Sequence, residues 1–221
     1  MKKILGLALT LMLVLASALP LVACDLIGEI GNNSGGNKTE EFTYGQDYIN
    51  KNLAGDYWII YSITRYENGD SESITAEVRR TSKGYYYAYD DFEMLFIKNG
   101  NGYDWYYGYD GDFQPWGTAT EDEATMHMGM GLGYMNAYSS YGSSMERSGS
   151  ETVAGRDCAK YVYNYNYPFA AYKYKYTYCI DKKTGVCLKV TIEVQGQGQK
   201  AGYEFLCTKF QTSGVSLPSP D

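Results

Sequence analysis

The stretch YVYNYNYPFAAYKYKYTYC, Tyr161 to Cys179, places tyrosine at every second position in two consecutive runs. Successive side chains of a strand point to opposite faces, so each run puts its tyrosines on one face. In the first run Tyr161, Tyr163, Tyr165 and Tyr167 alternate with Val162, Asn164 and Asn166; in the second Tyr172, Tyr174, Tyr176 and Tyr178 alternate with Lys173, Lys175 and Thr177. PFAA joins the runs as a hairpin. Tyr then meets Tyr across the strands only if paired residue numbers sum to an odd value, and the same parity puts Cys158 on the face of Cys179. Downstream, Val186, Leu188, Val190, Ile192 and Val194 alternate with Cys187, Lys189, Thr191 and Glu193. If the turn DKKTG keeps polar beside polar, the aliphatic row extends the tyrosine row, and the tyrosines line the inner side of a curved sheet. A one-residue shift in that turn would reverse the match.

The rest of the chain extends this picture in both directions. Strands are expected at about 145–151, 156–167, 171–181, 186–195 and 201–210. Upstream, DYWIIYSITRY leads through the hairpin signal Asn68-Gly69 to SESITAEVRRT, and GYYYAYD, FEMLFIKN and YDWYYGYD follow as short aromatic strands bounded by Gly, Asn or Asp. Residues 44–54 suit a short helix. Residues 120–141 suit a second, with Thr120 as cap and Glu123 closing a capping box. The fold class is mainly β (α+β): an antiparallel curved sheet or half-barrel with a short N-terminal helix and one inserted helix.

At the N-terminus Lys2 and Lys3 precede an apolar run, Ile4 to Leu19, and then LVAC, Leu21 to Cys24. This is the layout of a secretory signal. LVAC resembles the bacterial lipobox, which implies cleavage before Cys24 and acylation of its thiol and amine. The rival readings are an ordinary secretory signal with a chance cysteine, or an uncleaved anchor. The expected organisation is a signal peptide over 1–23, a lipidated Gly/Asn/Ser-rich tether over 24–43, one β half-barrel domain over 44–215 and a disordered tail over 216–221. The chain is thereby expected to be extracytoplasmic and anchored to a membrane through acyl chains. Cleavage would remove two lysines and no acid, leaving 17 basic and 26 acidic residues and a net charge of −9. Such a surface argues against nucleic acid and against electrostatic docking on anionic lipid. Oligomeric state is not legible.

Four further cysteines, Cys158, Cys179, Cys187 and Cys207, form an even set in an exported chain, which suggests two disulfides. Strand parity favours Cys158–Cys179 with Cys187–Cys207 over Cys179–Cys187. Zinc is the rival reading, but no C-x-x-C spacing occurs and His127 is the only histidine.

VAGRDCAKYVY, Val153 to Tyr163, and YCIDKKTGVCLKV, Tyr178 to Val190, resemble a strand and an Asp-x-x-Thr-Gly hairpin of small secreted relatives of the periplasmic lipoprotein carriers, the LolA/LolB-like superfamily. The resemblance covers roughly the last 70 residues, and the remainder only by architecture. It implies a sheet folded over helices around an apolar cavity, and no catalysis. The tyrosine load departs from the usual aliphatic lining, since buried tyrosines bring hydroxyls that need partners.

Other chemistry has simpler explanations. No Gly-x-Ser-x-Gly occurs, and Asp90, Asp91 and Glu93 suit a strand end. MHMGM, Met126 to Met130, offers soft ligands for Cu(I), yet methionine on a core-facing helix is commoner. YDGD, Tyr109 to Asp112, with Asp104 nearby, offers oxygens to Ca²⁺, yet Asp-Gly is a hairpin turn. No metal or cofactor is expected. Two functions remain. One is a tethered, non-catalytic protein binding an apolar or amphiphilic ligand against Tyr161, Tyr163, Tyr174, Tyr176, Val190, Ile192, Met130 and Leu132. The other is a surface module recognising glycan, peptide or protein through exposed tyrosines.

Overall fold

The computed structural model describes residues 42–132, 138, 144–166, 173–196 and 199–220, with the side chains of 127–132, 195, 199 and 200 left aside. In chain order the elements are α1 (Gln46–Asn52), β1 (Tyr57–Glu67), β2 (Asp70–Thr81), β3 (Gly84–Tyr89), β4 (Phe92–Asn99), β5 (Gly102–Tyr109), β6 (Asp112–Ala119), α2 (Glu121–Leu132), β7 (Glu146–Val153), β8 (Arg156–Asn166), β9 (Lys173–Asp181), β10 (Cys187–Gly196) and β11 (Gln199–Gln211). Among the described residues the strands form one antiparallel, open and curved sheet in the order β6-β5-β4-β3-β2-β1-β11-β10-β9-β8-β7, with no closed barrel. Cys24, the signal region and residues 25–41 of the expected tether lie outside the described residues. No described helix is long and apolar enough to cross a membrane.

Tight turns hold the meander together. Asn68 and Gly69 have φ of 52° and 100°, and Asp110 and Gly111 have 52° and 83°. Both pairs adopt the left-handed conformations that match the twist of two-residue hairpins.

Alternation sorts side chains to the two faces. On β1, Ile59, Tyr61 and Ile63 are buried on the inner face. On the outer face the Arg79 guanidinium lies 4.1 Å, and the Lys209 ammonium 3.0 Å, from the Trp58 ring centroid. Outer residues of the β2–β6 half form a second apolar cluster of Tyr86, Ala88, Leu95 and Phe113, against which Leu217 packs. The Ser216 carbonyl accepts a 3.0 Å bond from Arg79. Ser216 and Leu217, within the stretch expected as a disordered tail, thus touch the outer face of the sheet.

The inserted helix starts as its sequence predicts. Thr120 N–H donates to Glu123 at 2.8 Å, and Glu123 N–H donates to Thr120 Oγ1 at 3.2 Å. Both arms of a capping box are therefore made. The helix spans Glu121–Leu132; of the residues beyond it to 141, only Tyr138 is described. α2 packs against β2, β3, β5 and β6. The Tyr85 and Tyr103 hydroxyls both donate to Glu121, holding its carboxyl below the ordinary carboxylate range. The expected cavity lay between residues 120–141 and the tyrosine face of β8–β9; the main contacts of α2 are with β2, β3, β5 and β6, while Tyr138, within that expected stretch, meets Tyr178 of the tyrosine face. Met130 and Leu132 lie within α2, and their side chains are outside the described residues.

Candidate functional site: a tyrosine slope on the inner face

The DKKTG turn decides how the last strands meet. Asp181 is only 2% exposed. Its carboxylate accepts from Thr184 N–H at 3.0 Å, from the Thr184 hydroxyl and from Arg156 at 2.7 Å. Gly185 has φ of 78°, and a Cβ there would come within 2.8 Å of the Tyr48 ring. The Tyr48 hydroxyl donates to the Lys182 carbonyl at 2.9 Å, which ties α1 to this turn.

Beyond the turn the register sets polar beside polar. Tyr161 lies opposite Tyr178, Tyr163 opposite Tyr176 and Tyr165 opposite Tyr174. The rows continue onto β10, with Val190 opposite Tyr178, Ile192 opposite Tyr176 and Val194 opposite Tyr174. On β11, Phe205 faces Val190, Tyr203 faces Ile192 and Ala201 faces Val194. Three parallel rows thus cross the strands on the inner face.

Burial falls from row to row. Tyr161, Tyr178, Val190 and Phe205 are buried. Phe42 meets Tyr161 edge-on at 5.2 Å, and Tyr138 meets Tyr178 at 6.3 Å. In the next row Tyr163 and Tyr176 are half-buried beside buried Ile192 and Tyr203, and in the third Tyr174 is half-buried and Tyr165 is 37% exposed. The rings stand parallel along each strand: Tyr163 and Tyr165 are 6.4 Å apart at 23°, and Tyr174 and Tyr176 are 6.3 Å apart at 22°. The result is an aromatic slope, closed at the DKKTG end and open towards the far ends of β8 and β9. Beside it, a shallow groove of about 280 Å³ opens at the ends of β1, β2, β10 and β11. Ile192, Tyr203, Tyr66, Glu67, Asp70 and Glu193 are part of its lining.

Of the residues expected to hold a ligand, the register brings Tyr161, Tyr163, Tyr174, Tyr176, Val190 and Ile192 onto one surface. Tyr161 and Val190 lie in its closed part. The covering residues Phe42, Tyr44 and Tyr138 carry no sequence signal, because they reach the face through long-range contacts.

The disulfide expectation is corrected: Cys158, Cys179, Cys187 and Cys207 are buried free thiols. Register explains why. Cys158 lies opposite Asp181 and Cys179 opposite Lys160, so the two share a face but are staggered. A bulge between Cys187 and Lys189 sets Cys187 opposite Ile180, and Cys207 lies opposite Tyr61 on the inner face. Burial pushes the thiols of Cys158, Cys179 and Cys207 up to about 12. Since the thiolate is the reactive form, these thiols should resist oxidation and alkylation. Ellman's reagent is expected to leave all four unlabelled in the folded protein and to label all four in guanidinium; fast labelling of any one in the native state would contradict this burial.

The acidic candidates resolve into structure, and the side chains of His127 to Met130 in MHMGM lie outside the described residues. Glu93 accepts from the Tyr86 hydroxyl and from Gly111 N–H, and Asp90 has the φ of 56° of a turn residue. Asp104 is bonded to Asn99 and Asp112 to Gln114. Among the described residues no cluster of His, Cys, Asp or Glu is arranged to hold a metal ion.

No protein-family model matches the chain, and no curated protein matches it in sequence. Its fold is similar to that of LprF from Mycobacterium bovis. The likeness has 11% identity and a TM-score of 0.39, over 79% of this chain and 96% of LprF. The crystal structure of MucB is matched at 16% identity and a TM-score of 0.38, over 77% of this chain and 57% of MucB. The chain therefore spans little more than half of MucB. A putative outer membrane lipoprotein-sorting protein domain from Vibrio parahaemolyticus is matched at 10% identity and a TM-score of 0.26, over 78% of this chain and 94% of that domain.

Proposed function

We propose that the chain is a non-catalytic, extracytoplasmic lipoprotein that binds an apolar or amphiphilic ligand on the open part of the tyrosine slope. One observation carries this reading: half-exposed Tyr163, Tyr165, Tyr174 and Tyr176 continue a buried aromatic row on the same face. Apolar surface left open beside a filled core is what a ligand can still cover, at about 25 cal/mol per Å² of area removed from water. The ring edges and hydroxyls give such a surface amphiphilic character.

A chain lacking residues 1–23 and carrying Cys24→Ser should bind a dansyl-labelled alkyl amine saturably. The double substitution Tyr163→Ser, Tyr176→Ser should weaken binding by about tenfold or more, as expected if it removes roughly 1.4 kcal/mol of apolar contact. Absence of saturable binding by both the amine and a dansyl-labelled fatty acid would remove the reading.

Anchoring is proposed through acyl chains on Cys24, on the strength of the apolar run and LVAC that precede it. Expressed in a bacterial host, the full chain should partition with membranes, and Cys24→Ser should move it to the soluble fraction. Unchanged partitioning of the variant, with no lipid label on the parent, would overturn this.

A further inference from the structure

The most exposed aromatic surface lies away from the tyrosine slope, on the outermost strands of the other half. Trp116 is 64% exposed and Tyr109 is 53% exposed. On β5, Trp105 lies opposite Phe96 and Tyr107 opposite Met94, both on the inner face. Tyr109, two residues further on, lies opposite Asp112, and Tyr107 opposite Gln114. A bulge between Trp105 and Tyr106 re-aims the adjoining part of β6. Trp116 thereby comes within 5.9 Å of Trp105 and 5.2 Å of Tyr107, centroid to centroid. Two parallel lines result. Trp105, Tyr107 and Tyr109 repeat at the two-residue strand spacing of about 6.7 Å, flanked by Trp116, Gln114 and Asp112.

We propose that this ribbon binds a neutral saccharide chain. A pyranose presents C–H groups on its faces and hydroxyls around its rim. The ribbon offers the matching pattern: aromatic rings for the faces, with an amide and a carboxylate beside them for the hydroxyls. Gln114 Nε2 donates to Asp112 Oδ1 at 3.1 Å, so the two polar groups are already held side by side. Three observations separate this ligand from its rivals. β6 is an edge strand, but Pro115 removes a backbone donor and the bulge breaks the ladder, which disfavours addition of a peptide strand. Asp112 lies on the ribbon and Asp110 at the hairpin tip beside it, which disfavours nucleic acid, anionic glycans and anionic lipid. Each aromatic of the strip keeps some exposed surface, so the strip is not closed over by the core.

Calorimetric titration of the chain lacking residues 1–23 and carrying Cys24→Ser tests this, with cellohexaose, chitohexaose and maltohexaose as probes. Saturable binding of at least one hexaose is expected. Trp116→Ala should weaken it about tenfold, the loss of one stacked ring. Gln114→Ala, at an exposed position, should weaken it with no change in melting temperature, and Tyr165→Ala on the slope should leave it unchanged. No binding of any of the three, or affinity unchanged in both Trp116→Ala and Gln114→Ala, would overturn the assignment. Because the dansyl probes address the other half of the sheet, failure there would not affect this result.

Discussion

Replacing Asp181 by alanine should destabilise the protein by about 3 kcal/mol, the cost of removing one partner from a buried charged pair. The carboxylate is the common acceptor for Arg156 and for the hydroxyl and N–H of Thr184. Its loss strands a guanidinium that is itself mostly buried, and it opens the turn that fixes the register of β10 on β9. Asp181→Asn keeps one acceptor oxygen and should cost clearly less. Urea unfolding reads both, through a shift of midpoint at constant slope. A loss below about 1 kcal/mol for Asp181→Ala would show that the turn holds without its carboxylate.

The second large effect separates the two ends of the slope. Tyr178→Ala empties a fully buried site among Tyr161, Tyr138 and Tyr176, and should cost about 4 kcal/mol. Tyr165→Ala, in the same ladder but at its open end, should cost less than about 1 kcal/mol and weaken binding of the dansyl-labelled amine. Stability and affinity should thus respond to opposite ends of one alternating pattern. Equal destabilisation by both substitutions would mean that the open end is core after all, and would leave no surface for a ligand.

The alternation of Tyr161–Cys179 was enough to read the hairpin and its facing, because side-chain period and cross-strand parity are local rules. The continuity of the tyrosine row with Val190 and Ile192 hung instead on the register of the DKKTG turn, which only the structure supplies. The capping box at Thr120 and the hairpin at Asn68-Gly69 were legible from local rules too. Bulges were not. The one beside Cys187 takes that thiol off the parity of Lys189, the one between Ile60 and Tyr61 sets Cys207 opposite Tyr61, and on β8 and β9, which pair without a bulge, the register staggers Cys158 and Cys179 by two residues, so the disulfide scheme does not hold. The seat of α2 on β2, β3, β5 and β6 depends on Glu121 meeting Tyr85 and Tyr103, which are 36 and 18 residues away in sequence, and nothing local marks those partners. The aromatic strip of DWYYGYD was visible, but a bulge again decided which of its neighbours joined it.

The strand order also bears on how the molecule assembles. Every neighbouring pair in the sheet joins consecutive strands except β1 with β11. Two meanders, β1–β6 and β7–β11, can each zip up hairpin by hairpin at low loop-closure cost, whereas the seam between them joins residues as distant as Trp58 and Gln211. Closing that seam is the slow, entropically expensive step. Truncating Ile63 or Phe205, which face each other across it, should slow refolding, while changes at the Asp110-Gly111 tip should mainly speed unfolding. The free flank of β1 stays without its neighbour until β11 docks, so the interval before seam closure is when this chain is most exposed to aggregation.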